Sequence, residues 1–222
     1  MAGMERTITA AEAERFYDRL GNGIDRFASF EQRARLDLLE HGHFDQARAV
    51  LEVGCGTGQL AARLLERHLP PEASYLGFDV STTMVTIAAA RLDRWARRAK
   101  VHKSDGTLRL GEADGTFDRF VSTYLLDLLS GSDAALLLDE AHRLLGRDGL
   151  LCLVSLTSGQ GLLSRVVSTL WRRIQQLAPA RVGGCRPIEL RPLLAADRWV
   201  VEYWRIVTML GVPAEVVVAR RR

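Results

Sequence analysis

The residues best equipped for chemistry lie together in Val50-Leu51-Glu52-Val53-Gly54-Cys55-Gly56-Thr57-Gly58-Gln59. Glycines at 54, 56 and 58 permit positive φ and let a ligand lie against bare backbone. Amides at the start of a following helix favour an anion or a carboxylate. A dinucleotide fingerprint, G-x-G-x-x-G, would need its third glycine at position 59, which is Gln59. The pattern is instead E-x-G-x-G-x-G, from Glu52 to Gly58. A second acid, Asp79, follows Gly58 by 21 residues, about where an α/β nucleotide-type site places the carboxylate that binds ribose hydroxyls. Two hydroxyls on one carboxylate make a bidentate, charge-assisted contact. No histidine set completes a metal site or a catalytic triad: His41 and His43 lack a third ligand, and His102 and His142 read as structural or solvated.

These residues need a scaffold. Ala49 to Val53 reads as a short buried strand and Leu60 onward as a helix, so the glycines form a strand-to-helix turn. Ser74 to Val80 reads as a second strand delivering Asp79, with Ser81 capping a helix from Thr82 to Arg98. Val101 to Gly106 is a third strand and its exit, Phe117 to Ser122 a fourth, and Leu150 to Leu156 a fifth, after a turn at Gly146 to Gly149. Ser132 or Asp133 caps the helix that runs to Leu145. Trp199 to Thr208 and Ala214 to Ala219 are strand-like runs joined through Gly211-Val212-Pro213. Upstream, Thr9 with Glu12 is a capping box for a helix to Leu20, broken by Gly21-Asn22-Gly23. A second helix starts near Ser29 and runs towards His41.

The E-x-G-x-G-x-G pattern resembles motif I of the class I S-adenosylmethionine-dependent methyltransferases, nearest the ubiquinone/menaquinone and phospholipid methyltransferase-like group. The resemblance covers most of residues 10–156 by order of motifs and is specific at motif I and Asp79; between Thr107 and Thr116 the sequence departs from the family pattern. It implies an α/β, three-layer Rossmann-like doubly wound sheet of seven strands, mostly parallel, with a C-terminal antiparallel hairpin and an N-terminal helical lid. One domain is expected over 1–222, divided into a lid (1–45), a cofactor-binding core (46–156), an acceptor-binding insertion (157–198) and the hairpin (199–222). By the same resemblance Glu52, Gly54, Cys55, Gly56, Gly58 and Gln59 hold the methionine end of S-adenosyl-L-methionine. Asp79, Val80 and Ser81 take the ribose, and Met84 borders the adenine. Asp105 with Gly106 meets the adenine amino group, unless Asp-Gly here is only a turn. Ser122 and Thr123 leave strand four beside the transferable methyl. Tyr17, in Phe16-Tyr17-Asp18, matches an aromatic-Asp element of the lid in such relatives, where simple packing is the alternative reading.

Methyl transfer from a sulfonium is an in-line displacement that needs no metal and no covalent intermediate. Positioning supplies most of the acceleration, and a base helps only where the nucleophile arrives protonated. Tyr17, Tyr124 and Asp127 are the candidates for that role, with core packing and helix capping as alternatives for the last two.

Composition is that of an ordinary globular domain: 222 residues, 47% hydrophobic, 26% charged, net charge +3. Cys55, Cys152 and Cys185 are odd in number and lack C-x-x-C spacing, which argues against a disulfide framework or a zinc site. With no apolar leader and no stretch of about 20 apolar residues, a cytoplasmic protein is expected. Residues 157–198 carry an amphipathic stripe (Leu162, Leu163, Val166, Val167, Leu170, Trp171, Ile174, Leu177) and Arg165, Arg172, Arg173, Arg181, Arg186 and Arg191. A short helix is expected after the break there, with Pro187 in its first turn. The arginines suit an anionic small molecule or the surface of an anionic bilayer, or are a solvated face. The expected activity is methyl transfer to an O, N or C nucleophile of a small molecule or lipid headgroup. RNA or protein methylation is the alternative, but there is no basic arm with interleaved aromatics, so no nucleic acid partner is expected. A catalytically silent cofactor-binding protein on the same fold is the third reading.

Overall fold

A computed structural model describes residues 7–26, 28–159, 169 and 184–222. Seven strands form one sheet in the order β3-β2-β1-β4-β5-β7-β6. They are β1 (Ala49–Val53), β2 (Ser74–Asp79), β3 (Ala99–Lys103), β4 (Phe117–Thr123), β5 (Leu145–Leu156), β6 (Trp199–Met209) and β7 (Val212–Arg221). The first five run parallel, and β7 is antiparallel to both β5 and β6. This is the expected doubly wound sheet with its terminal hairpin.

Central strands β1 and β4 are near-continuous buried runs, as expected of strands covered on both faces. Alternation sorts their side chains between two cores. Val50, Val121, Cys152, Val154, Val216 and Val218 face one side, beneath α2 (Ala28–His41) and α3 (Gln59–Arg67). Leu51, Phe120, Leu151, Leu153, Val217 and Ala219 face the other, beneath α5 (Gly131–Leu144). The result is three layers. Both α1 (Ala10–Leu20), with the Thr9/Glu12 capping box in place, and α4 (Thr82–Leu92), capped by Ser81, start where the sequence indicates.

Boundaries shift where side chains override local propensity. The helix α4 stops at Leu92 rather than Arg98. The Arg98 guanidinium donates to the carbonyls of Leu65, Pro70 and Ala73, which draws the chain out of the helix and into β3, two residues earlier than expected. Ser130, not Ser132 or Asp133, caps α5, its Oγ accepting from Asp133 N at 3.1 Å. The Gly146–Gly149 turn is absorbed into β5 as a register shift between the pairs Phe117/Leu145 and Arg119/Leu150, with Asp148 at φ 64°. Pro187 starts no helix. Pro192 instead occupies the first turn of a short 3-10 segment, Arg191–Leu193. Residues Leu162, Leu163, Arg165, Val166, Val167, Leu170 to Arg173, Ile174, Leu177 and Arg181 lie outside the described residues. Of the remaining arginines, Arg186 donates to Leu129 O and Arg191 stacks over Trp204. Among the described residues, no helix is long and apolar enough to cross a membrane.

In this strand order the chain reverses direction across the sheet between β1 and β4, and both strands end on the same side. Ligands of open α/β sheets bind in the crevice that such a switch leaves. The glycine turn leaves β1 there, and Tyr124 leaves β4 beside it.

Candidate active site

At that crevice lies a cavity of about 730 Å³. Its floor is the glycine turn. Gly54, Gly56 and Gly58 adopt φ of +78°, +53° and +73°, but they serve different ends. A Cβ on Gly56 would meet nothing within 4 Å, so the bare backbone there faces open space. On Gly58 it would press to 3.1 Å from the Ala88 Cβ, because this glycine lets α3 pack onto α4. Gly58 is absent from the cavity wall, whereas Gly54, Cys55, Gly56, Thr57 and Gln59 line it.

Two acids close the floor. The carboxylate of Asp79 accepts from Gly56 N at 2.8 Å and from Ser81 N at 2.9 Å, binding the end of β2 to the glycine turn. Burial raises its pKa against those amides. Glu52 is 1% exposed and accepts from the Tyr75 hydroxyl at 2.6 Å. Burial carries its pKa up to about 7, opposed by that hydrogen bond. Gly77 makes the pairing fit, since a Cβ there would stand 2.9 Å from the Tyr75 hydroxyl. Glu52, Asp79, Val80, Met84, Gly106 and Thr123 all face the cavity.

Other expected site residues do not. Asp105 is exposed and its carboxylate accepts from the Thr107 amide and hydroxyl, so it is the Asp-Gly turn and not a cavity wall. Ser104, Gly106, Thr107 and Leu108 face inward in its place. Ser81 is spent on capping α4 and on donating to Asp18 Oδ1 at 2.6 Å. Ser122 donates to Val53 O and ties β4 to β1.

The opposite wall comes from the N-terminal helices. Phe16, Tyr17 and Leu20 of α1, then Ile24 and Asp25, then Glu31 and Arg35 of α2 line it. Two carboxylates attach this segment to the core. Asp18 accepts from Ser81 Oγ and Thr83 N at the start of α4. Asp25 accepts from Thr57 Oγ1 at 2.7 Å and from Arg91 at 2.8 Å.

Within the cavity, groups from four parts of the chain lie near one another: Tyr17, the Glu31–Arg35 ion pair (2.7 Å), Tyr124 and Cys185. Tyr124 holds φ +57°, unusual for a bulky residue, and its amide donates to Val154 O at 2.8 Å. Sheet pairing therefore holds the strained exit from β4. Cys185 arrives because Arg186 N donates to Asp127 O and Ile188 N to Leu156 O, laying the strand-like stretch across the ends of β4 and β5. Burial, with Cys185 next, holds the Tyr17 phenol well above its ordinary range; burial, then Glu31, does the same for Tyr124. Both phenols stay neutral near pH 7. Asp127 is fully buried away from the cavity wall, one oxygen accepting from Leu156 N at 3.2 Å. Burial raises it to about 7. It orders the backbone at the end of β5.

Asp25, Glu31, Arg35 and Cys185 escaped sequence reading because each gains its meaning from a neighbour distant in the chain. Only the Glu31/Arg35 spacing, one helical turn, was a visible signal. His41 stacks on Tyr203 and His142 packs edge-on against Trp199, so both are structural. Among the described residues, no three metal-ligating side chains group together.

The chain's likenesses agree with this architecture. Residues 50–149 match the family model described as a methyltransferase domain. The chain is 36% identical over 129 residues to malonyl-[acyl-carrier protein] O-methyltransferase of Geobacter sulfurreducens, an alignment covering 57% of this chain and 46% of that protein. It thus spans about half the length of that relative. Among solved structures, the [4+2]-cyclase SpnF superposes with a TM-score of 0.74 at 17% identity, covering 96% of this chain and 97% of that one. The N-methyltransferase NodS of Bradyrhizobium japonicum WM9, solved with S-adenosyl-L-homocysteine, superposes at 0.65 and 17% identity, covering 86% and 87%. The cavity fits such a cofactor: open space over Gly56, a carboxylate at each side of the glycine turn, and aliphatic walls. The sheet order is thus that of these methyltransferase structures, and residues 50–149, which hold the glycine turn and Asp79, match a methyltransferase domain.

Proposed function

We propose that the protein transfers a methyl group from S-adenosylmethionine to a small-molecule acceptor held where Tyr17, Glu31, Arg35, Tyr124 and Cys185 converge. The observation that supports this is one cavity lined both by the glycine turn with Glu52 and Asp79 and by Tyr17, Glu31, Arg35, Tyr124 and Cys185. The floor, with Glu52, Asp79 and the glycine turn, suits the cofactor: Glu52 for the methionine ammonium, Asp79 for the ribose hydroxyls, Met84 and Val80 against the adenine. Bound S-adenosylmethionine supplies an electrophilic methyl on a sulfonium. The second set of residues offers groups to orient a nucleophile. A volume of about 730 Å³ is within the range of roughly 300–1,000 Å³ usual for small-molecule pockets.

The chain's residues have three tasks there. Aliphatic side chains such as Leu60, Leu128 and Leu156 exclude water, which strengthens electrostatic contacts inside. The two neutral tyrosines can donate hydrogen bonds to an acceptor oxygen or nitrogen. Glu31 is the carboxylate placed to take a proton from a nucleophile that arrives protonated. Burial raises its pKa, against the opposing pull of Arg35, and so brings it towards the working range of a base. The other cavity carboxylates are engaged elsewhere: Asp25 with Thr57 and Arg91, Glu52 with Tyr75, Asp79 with two amides, and Asp133 with Ser130.

A lipid headgroup is the other acceptor class that the sequence suggested, and its basic segment lies largely outside the described residues. A second reading has a specific observation behind it: SpnF, similar over almost the whole chain, is a cyclase. The fold therefore hosts more than one chemistry. Incubating the protein with methyl-labelled S-adenosylmethionine and a cell extract, followed by mass spectrometry, separates the readings. A labelled small molecule supports methyl transfer. Cofactor binding without any labelled product supports the second reading.

A further inference from the structure

The glycine turn is clamped from two sides, and one clamp comes from outside the matched domain. Three alternating glycines at positive φ leave this loop little intrinsic preference for its binding conformation. Ordering it on ligand binding would cost conformational entropy, unless the protein has already fixed it. On one side Asp79 holds the Gly56 amide at 2.8 Å. On the other, the next residue, Thr57, sits in a closed ring of contacts. Its hydroxyl donates to Asp25 Oδ1 at 2.7 Å and accepts from Arg91 at 2.7 Å. Arg91 also donates to the Thr57 carbonyl at 2.7 Å and to Asp25 Oδ2 at 2.8 Å. Backbone and side chain of Thr57 are both held. The Gln59 side chain adds a hydrogen bond to the same carboxylate, and these donors together outweigh burial and hold Asp25 below the usual carboxylate range. Asp25 therefore stays ionised and the ring intact at any ordinary pH.

We infer that Asp25 is a positioning residue of the cofactor site: with Arg91, it acts through Thr57 to preorganise the glycine turn, so that the N-terminal segment completes the cofactor pocket. Asp25 belongs to the 3-10 turn Gly21–Arg26, whereas Thr57 and Arg91 belong to the core. Cofactor affinity thereby depends on the N-terminal segment being seated. This rests on the cofactor reading given above.

The test uses the full chain with S-adenosylhomocysteine as the calorimetric probe. Asp25→Ala and Arg91→Gln should each weaken binding about ten- to a hundredfold, the factor corresponding to loss of a charge-assisted hydrogen bond. The double variant should bind no more weakly than the worse single one, because all the contacts serve one ring. Asp25→Asn, whose amide oxygen still accepts from Thr57, should fall between wild type and Asp25→Ala. The thermal midpoint of the ligand-free variants is read alongside, and an affinity loss that persists well below that midpoint separates positioning of the loop from general destabilisation. Should Asp25→Ala fail to fold, Arg91→Gln carries the test from the core side. Unchanged affinity in both single variants, or strictly additive losses in the double, overturns the inference while leaving the cofactor reading intact. Failure of the wild type to bind the probe overturns both.

Discussion

Tyr75 donates its hydroxyl to Glu52 at 2.6 Å between two adjacent parallel strands, and neither side chain reaches solvent. Residue 75 faces residue 50 in the strand register, so its phenol extends two positions along the sheet, past the missing side chain of Gly77. A buried acid near pKa 7 is costly as an anion until a cation arrives. Cofactor binding below pH 7 should therefore release a proton, as the methionine ammonium draws Glu52 into its ionised form. Calorimetry at pH 6 in buffers of different ionisation enthalpy should show that release, and it should vanish above pH 8 and in Glu52→Gln. Proton uptake at pH 6 would contradict the assignment.

Asp79 joins β2 to the glycine turn through two amides. Asp79→Ala should weaken S-adenosylmethionine binding by about 1–3 kcal/mol, the range for removing a hydrogen-bond partner of charged character. Asp105→Ala should leave it within about twofold, since an exposed turn residue away from the site acts weakly. Equal losses in both variants would restore Asp105 to the site.

Glu31 lines the cavity and its pKa is raised by burial. For an acceptor that arrives protonated, Glu31→Gln should lower kcat by about 10²–10⁴-fold, the usual contribution of a general base, without changing S-adenosylhomocysteine affinity. The acid limb of the wild-type pH–rate profile should disappear in the variant. A profile of unchanged shape would assign Glu31 to structure alone.

Asp127 is buried, and one of its oxygens has no hydrogen-bond partner among the described residues. Its folded pKa, about 7, lies above the ordinary value of 3.8. The folded state thus binds the extra proton, and the stability this confers is complete below pH 3.8 and lost as pH rises through 7. Asp127→Asn keeps an acceptor for the Leu156 amide without the charge, so its thermal midpoint should change less than that of wild type between pH 5 and 8. Parallel curves would refute the shift.

Gly58→Ala should destabilise the fold by about 1–2 kcal/mol for the left-handed backbone alone, with a further cost from contact with Ala88. Gly56→Ala meets no neighbour and should lower cofactor affinity more than it lowers the thermal midpoint. The reverse order of effects would exchange the roles given to the two glycines.

What the chain encodes locally was readable from it. Buried strands, alternating glycines, caps at Thr9 and Ser81, and the acid at the end of β2 are each set by residues a few positions apart, because periodicity, φ preference and capping act over one turn or one pleat. The seven-stranded fold and the cofactor followed from the family resemblance that these motifs carry. Tertiary structure decided the rest. Whether Asp105 met a ligand or its own turn depended on which donor lay nearer its carboxylate, and the Thr107 amide and hydroxyl did. How far the Tyr17 and Tyr124 phenols are raised above their ordinary pKa depended on burial, which no spacing reveals. Asp25 gained its role only when folding brought it against Thr57 and Arg91, 32 and 66 residues away. Carboxylates and guanidiniums act by proximity in space, and their partners here come from segments far apart in the chain and not from neighbouring turns of it.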